Sequence, residues 1–416
     1  MTSYLVLQGL APSLWGPVSD VKGRRIAYFC TFLVFLGACI GLAQARNYAA
    51  VVVLRCLQST GSASTIAIGS GVIGDITTRA ERGGLMGIFL TGLLMPVAVG
   101  PVIGGVLAGS LGWRAIFWFL AVYSGSILAL LALLLPETLR SVVDNGSRVS
   151  SNIIVRFPLV LYQKTTKVKW DRTAKRASSS SSSHVPKKHV DVLGPFGILI
   201  SRQATCILFF VAVYYAVWQM GITAMSSLFA NRYGLGETKI GLTFMVNGVG
   251  CMVGTLVTGK ILDSDYGRIK SRHDARQTES VEDGAEKSFP LEKARLRHVP
   301  LFALVQCLSV MLFGWTIQYP RHVPIAVPIV STFITGWTAC SIQSVITTYL
   351  VDVFHDRSAA STASMNLARC LLGAGGTSLI MPLVNAIGVG LAFTACVGMQ
   401  VMALALLAMQ WRWGGQ

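Results

Sequence analysis

With 53% hydrophobic residues and only 13% charged across 416 positions, this chain holds more apolar sequence than one soluble core can bury. Soluble enzymes and soluble binding domains are thereby excluded. The net charge of +17, from 35 Lys and Arg against 18 Asp and Glu, points either to nucleic acid or to a membrane surface, and the placement of the cations decides between them.

A helix that crosses a bilayer needs about 20 apolar residues. Suitable runs at 1–18, 26–45, 50–73, 85–110, 113–135, 204–230, 238–262, 299–319, 323–350, 359–386 and 388–411 predict eleven transmembrane helices. Their hydrophobicity is continuous rather than alternating, which excludes a β-barrel. The chain reads as an all-α polytopic membrane protein in three parts. An N-terminal bundle of five spans occupies 1–135, a basic and Ser-rich linker 136–203, and a C-terminal bundle of six spans 204–416.

Between the first two spans, Gly16-Pro-Val-Ser-Asp20-Val-Lys-Gly23-Arg24-Arg25 packs an acid, three cations and two glycines into a tight turn. Gly259-Lys260-Ile-Leu-Asp263-Ser-Asp265-Tyr-Gly267-Arg268 nearly repeats it, as a duplicated two-lobed membrane protein would. The third span carries Arg55 near its middle, where an unpaired guanidinium is costly and should face a wet cavity or a partner. Gln58 and Ser62 fall on the same helical face. Snorkelling or helix packing is the competing reading of Arg55. The linker, with six serines at 178–183, is either a solvated tether or a segment that adheres to anionic lipid. In the C-terminal half, Tyr215 and Gln219 stand four apart beside Tyr214 and Trp218, Gln343 and Thr347 form a second such pair, and Arg369 is a second cation within a span. The aromatic residues by themselves fit an interfacial belt or lipid-facing packing.

On this eleven-span arrangement, 28 of the 35 cations collect on one side: three at 22–25, Arg79, Arg82, twelve between Arg140 and Arg202, nine between Lys260 and Arg297, Arg357 and Arg412. The positive-inside rule makes the two long loops and the C-terminus cytoplasmic, puts Met1 outside, and removes the nucleic-acid reading. No secretory signal pattern opens the chain. The cysteines fall within spans and the histidines in loops or near span ends, so neither a disulfide, a metal site nor a cofactor is expected, and nothing favours an enzyme.

The first charged turn resembles the loop signature of the major facilitator superfamily. Val53-Leu54-Arg55-Cys-Leu-Gln58-Ser-Thr-Gly61 is similar to the family's fourth-helix arginine motif, Gly100-Pro101-Val-Ile-Gly104-Gly105 to the fifth-helix signature of proton-driven antiporters, and Pro136-Glu137-Thr138 to the motif closing the sixth helix. The surrounding wording resembles the fungal drug:proton antiporter group, quinidine-resistance type. Twelve helices are usual in that family, and the first has no counterpart here, so the chain is expected to lack a wall of its cavity as it stands. Pro96 replaces a glycine usual in the fifth-helix signature.

The resemblance implies a monomeric two-bundle transporter in the plasma membrane that exports small lipophilic or cationic molecules against proton entry. A uniporter or importer on the same fold, or a truncated, non-transporting membrane protein, is the alternative. Asp20, Arg24 and Asp75, with Asp263 and Arg268 in the second half, would form conformational latches. Arg55 would influence proton binding, Gly100, Pro101, Gly104 and Gly105 would bend a helix, and Gln58, Tyr214, Tyr215, Trp218, Gln219, Gln343 and Arg369 would line the cavity.

Overall fold

The computed structural model describes residues 2–76, 82–139, 194–201, 204–279, 295–354 and 358–413. Each predicted span lies on a helix, because long apolar runs in a bilayer must satisfy every backbone group within the segment. In chain order these are α1 (Thr2–Lys22), α2 (Arg24–Gln44), α3 (Tyr48–Ile76), α4 (Arg82–Leu111), α5 (Trp113–Leu134), α6 (Gly194–Leu199), α7 (Thr205–Tyr233), α8 (Glu237–Glu279), α9 (Val299–Gln318), α10 (Ala326–Val353), α11 (Ser358–Ile387) and α12 (Val389–Trp413). Among the described residues, nine helices are long and apolar enough to cross a membrane, and Met95–Leu111 within α4 is a shorter apolar stretch. The chain is an integral membrane protein. The linker expected at 136–203 lies almost wholly outside the described residues.

The helices form two compact units. One comprises Val6–Phe89 and Trp113–Gly194, the other Met1–Leu5, Leu90–Gly112 and Pro195–Gln416. In the first, α2 packs along both α3 and α5. In the second, α8 against α10 and α7 against α11 make the most extensive contacts, and α9 joins α10 to α12. Its core gathers Phe210, Tyr214, Phe229, Ile317, Ile346 and Phe393, all nearly inaccessible.

The later half of α4 therefore groups with the C-terminal helices rather than with the bundle expected over 1–135. The cause is a seam of small residues. A β-carbon on Gly248 would meet the Ala98 Cα at 2.5 Å, and one on Gly241 the Pro101 carbonyl oxygen at 2.6 Å, so α4 and α8 touch backbone to backbone.

A second departure concerns the expected charged turn at 259–268. It is no turn: Gly259 and Gly267 both lie inside α8, a helix of 43 residues. The apolar part ends at Leu262, and the polar continuation has no proline or left-handed glycine to stop it. The first charged turn does break. Gly23 adopts φ 110°, a conformation that side chains resist, and separates α1 from α2.

Candidate functional site

At that break the sequence builds a cluster of charges. Arg24 opens α2, and its Nε donates to Asp75 Oδ2 near the end of α3 at 2.9 Å. Its Nη1 donates to Ser19 Oγ on α1 at 2.8 Å. The guanidinium lies on the α3 backbone at Gly71, where a β-carbon would meet it at 2.7 Å. Glu137, just past α5, supplies a second anion. Its Oε1 accepts the Arg24 backbone N–H at 2.8 Å and its Oε2 that of Arg25 at 3.2 Å. The first N–H groups of a helix lack intrahelical acceptors and carry partial positive charge, so Glu137 caps α2 from another element. Arg25 Nη2 reaches the Ala132 carbonyl at 2.8 Å and ties the same corner to α5. Arg24, Arg25 and Glu137 are all buried. Four helices thus meet at one charged corner.

Asp20 was expected in this cluster; its backbone is in α1, but its side chain lies outside the described residues. Ser19 and Glu137 were not among the expected site residues. Glu137 had a signal, the motif at 136–138, whereas Ser19 had none beyond preceding Asp20.

The C-terminal unit carries a comparable pair elsewhere than expected. Arg295, just before α9, donates from Nε to Asp352 Oδ2 near the end of α10 at 2.9 Å. Beside it in sequence, His298 Nε2 pairs with Asp265 Oδ2 on α8. Asp263 has its side chain outside the described residues, and Arg268 is exposed on the extended part of α8.

Arg55 on α3 donates from Nη1 to Gln58 Oε1 at 3.1 Å and stacks over the Phe117 ring at 4.8 Å. Gln58, nearly inaccessible, passes its Nε2 to Cys39 Sγ on α2. The expected polar stripe is therefore a chain from Arg55 through Gln58 into the α2–α3 contact.

On α7, neighbours in sequence part company. Tyr214 is in the core, 1% exposed, tilted against Phe210 and within 3.5 Å of Cys307 Sγ. Tyr215, one residue and about 100° further round the helix, meets the Arg369 guanidinium at 5.1 Å from its ring centre. Gln219 Nε2 donates to the Tyr215 hydroxyl at 2.8 Å, and Trp218 stands edge-on to Tyr215 at 5.6 Å. Trp218 also lines a recess with Asn247, Thr332, Thr335 and Phe393. Arg369 gives Nε and Nη2 to Asn366 Oδ1 at 3.2 and 2.8 Å. Gln343 on α10 is half-buried, its carbonyl accepting Thr347 Oγ1 at 2.6 Å.

The expected signature on α4 divides in two. A β-carbon on Gly105 would meet the Glu237 carbonyl at 2.9 Å and Pro101 abuts Gly241, whereas no described residue stands within 4 Å of one on Gly100 or Gly104. Pro96 and Pro101 are both accommodated within the helix.

The family model described as Major Facilitator Superfamily matches residues 1–377. The chain belongs to that superfamily. Among its relatives, "Citrate exporter 1" of Aspergillus niger is 36% identical over 100% of this chain and 78% of its own length. "MFS antiporter QDR2" of Candida albicans is 34% identical over 97% of this chain and 78% of its own length. Of solved major facilitator structures, a D-xylose-proton symporter matches with TM-score 0.66 at 15% identity, covering 97% of this chain and 85% of that one. The human organic anion transporter MFSD10 matches with TM-score 0.60 at 17% identity, covering 98% and 82%. At those identities the structures establish the fold alone. As a major facilitator transporter, the protein handles small molecules and is not an enzyme.

Proposed function

We propose that this major facilitator protein is a proton-coupled exporter of small organic molecules that works by alternating access, as a monomer in the plasma membrane with its long loops and C-terminus cytoplasmic. The observation that carries the reading is the Arg24 corner. A buried set of charges joins α1, α2, α3 and the end of α5, and a two-state switch requires such a set, one able to form or break as a unit. Export against proton entry draws support from the Gly100-Pro101 signature and from the likeness to the QDR2 antiporter. Arg55, linked to Gln58, is the proposed influence on proton binding, and Tyr215, Trp218, Gln219 and Gln343 are proposed substrate contacts.

Lipophilic or weakly cationic cargo suits the aromatic residues of α7. A second cargo class, organic anions, is favoured by the part-buried Arg369 guanidinium, for which the described residues offer no carboxylate. The test of the exporter reading is transport in vesicles under an imposed pH gradient. Substrate is expected to move only while the gradient stands and to discharge it faster; movement indifferent to a collapsed gradient would establish a uniporter instead. Arg55→Lys should retain part of the coupled flux and Arg55→Ala none, and full coupling in the alanine variant would reduce Arg55 to a packing role.

A further inference from the structure

We propose that Arg369, Tyr215 and Gln219 form a binding site for the carboxylate of an organic anion, a cargo opposite in charge to the lipophilic cations that the aromatic residues alone would suggest. The proposal rests on the exporter reading and names the substrate class of that site.

Arg369 lies within the apolar span Ser361–Ile387 and is only partly exposed. Among the described residues, its Nε and Nη2 go to the neutral Asn366 amide oxygen, which leaves guanidinium N–H groups for a further acceptor. A cation in that position is costly unless it faces a wet cavity or a partner, and an anion is the partner that neutralises it. No ion pair among the described residues does so. The sequence offers none nearby either: α7, α9, α11 and α12 contain no Asp or Glu, and those within the apolar part of α8 and in α10 are Glu237 and Asp352, at helix ends.

The groups around Arg369 are donors as well. Because Gln219 Nε2 donates to the Tyr215 hydroxyl, the phenol accepts there and keeps its own O–H to give, and the amide keeps its second N–H. A planar guanidinium with further donors beside it matches a carboxylate, which accepts two parallel N–H bonds. Trp218, edge-on to Tyr215, offers an apolar flank for the body of such a molecule. An organic cation would meet the opposite: repulsion from Arg369 and no acid to compensate for it.

The experiment is direct binding to the full-length protein purified in detergent, with citrate as the tricarboxylate probe and tetraphenylphosphonium as the lipophilic cation, followed by calorimetry. Citrate is expected to bind the wild type. Arg369→Gln should weaken it roughly tenfold or more, and Arg369→Lys, which keeps the charge and loses the fork, should fall between. Tyr215→Phe, which deletes one donor and little volume, guards against misfolding of the arginine variants and should weaken citrate about threefold. Unchanged citrate affinity in Arg369→Gln and Tyr215→Phe, or a wild type that binds the cation and not citrate, would overturn the site. Because binding needs no gradient, the two readings fail separately. A protein that binds citrate through Arg369 but moves nothing in vesicles keeps the site and loses the exporter reading. One that exports a cation and binds no carboxylate does the reverse.

Discussion

The two charged corners of this transporter use the same bond and differ in everything around it. In both, an arginine Nε at or just before the start of a helix holds an aspartate Oδ2 near the end of another at 2.9 Å, with the arginine side chain 11% exposed. In the first half the aspartate is 18% exposed, a left-handed glycine sets the turn, and Glu137 adds a second anion. In the second half the aspartate is 31% exposed, and the neighbouring pair uses a histidine. Exposure of the aspartate and the added Glu137, rather than the ion pair itself, therefore distinguish the two corners.

That contrast breaks most visibly at Arg24. Removing its side chain takes from Asp75 a cation held at 2.9 Å in a poorly solvated place, so Arg24→Ala should cost about 3 kcal/mol of stability and most of the transport. A double-mutant cycle with Asp75→Ala should show strong non-additivity in transport; additive losses would reduce these charges to determinants of topology. Next in size is Gly23→Ala. A β-carbon there would stand 2.5 Å from Glu137 Oε2 on a backbone at φ 110°, and the strain should cost about 2 kcal/mol, seen as a lowered melting temperature. The smallest effect is expected at Arg295→Ala, about 1 kcal/mol or less, because water already reaches its partner. Equal losses at Arg24 and Arg295 in parallel melting curves would overturn the ranking by exposure.

Much of the fold was legible because a bilayer leaves an apolar run of some twenty residues little choice but helix. The first corner was legible in part, since glycine, acid and cations are crowded into one local motif. Its counterpart was not. Arg295 and Asp352 are 57 positions apart on different helices, and the local repeat at 259–268 pointed instead to residues that α8 carries onward as continuous helix. Tyr214 and Tyr215 illustrate another limit. A helix surrounded by protein and lipid is apolar on every side, so periodicity does not tell which face meets the core. Only Arg369, read together with the α7–α11 contact, separates them.

The α4–α8 seam has a consequence for how the sequence can drift. Where backbones touch, chemical conservatism loses its meaning: a single methyl on Gly241 or Gly248 is a drastic insertion, because the atom it meets belongs to main chain that no rotamer can move aside. At Gly100 and Gly104 no described residue stands in the way of a β-carbon. Within one short signature, the packing constraint therefore falls on Pro101 and Gly105, where the two helices meet with no side chain between them, while whatever requires glycine at positions 100 and 104 is something other than this seam.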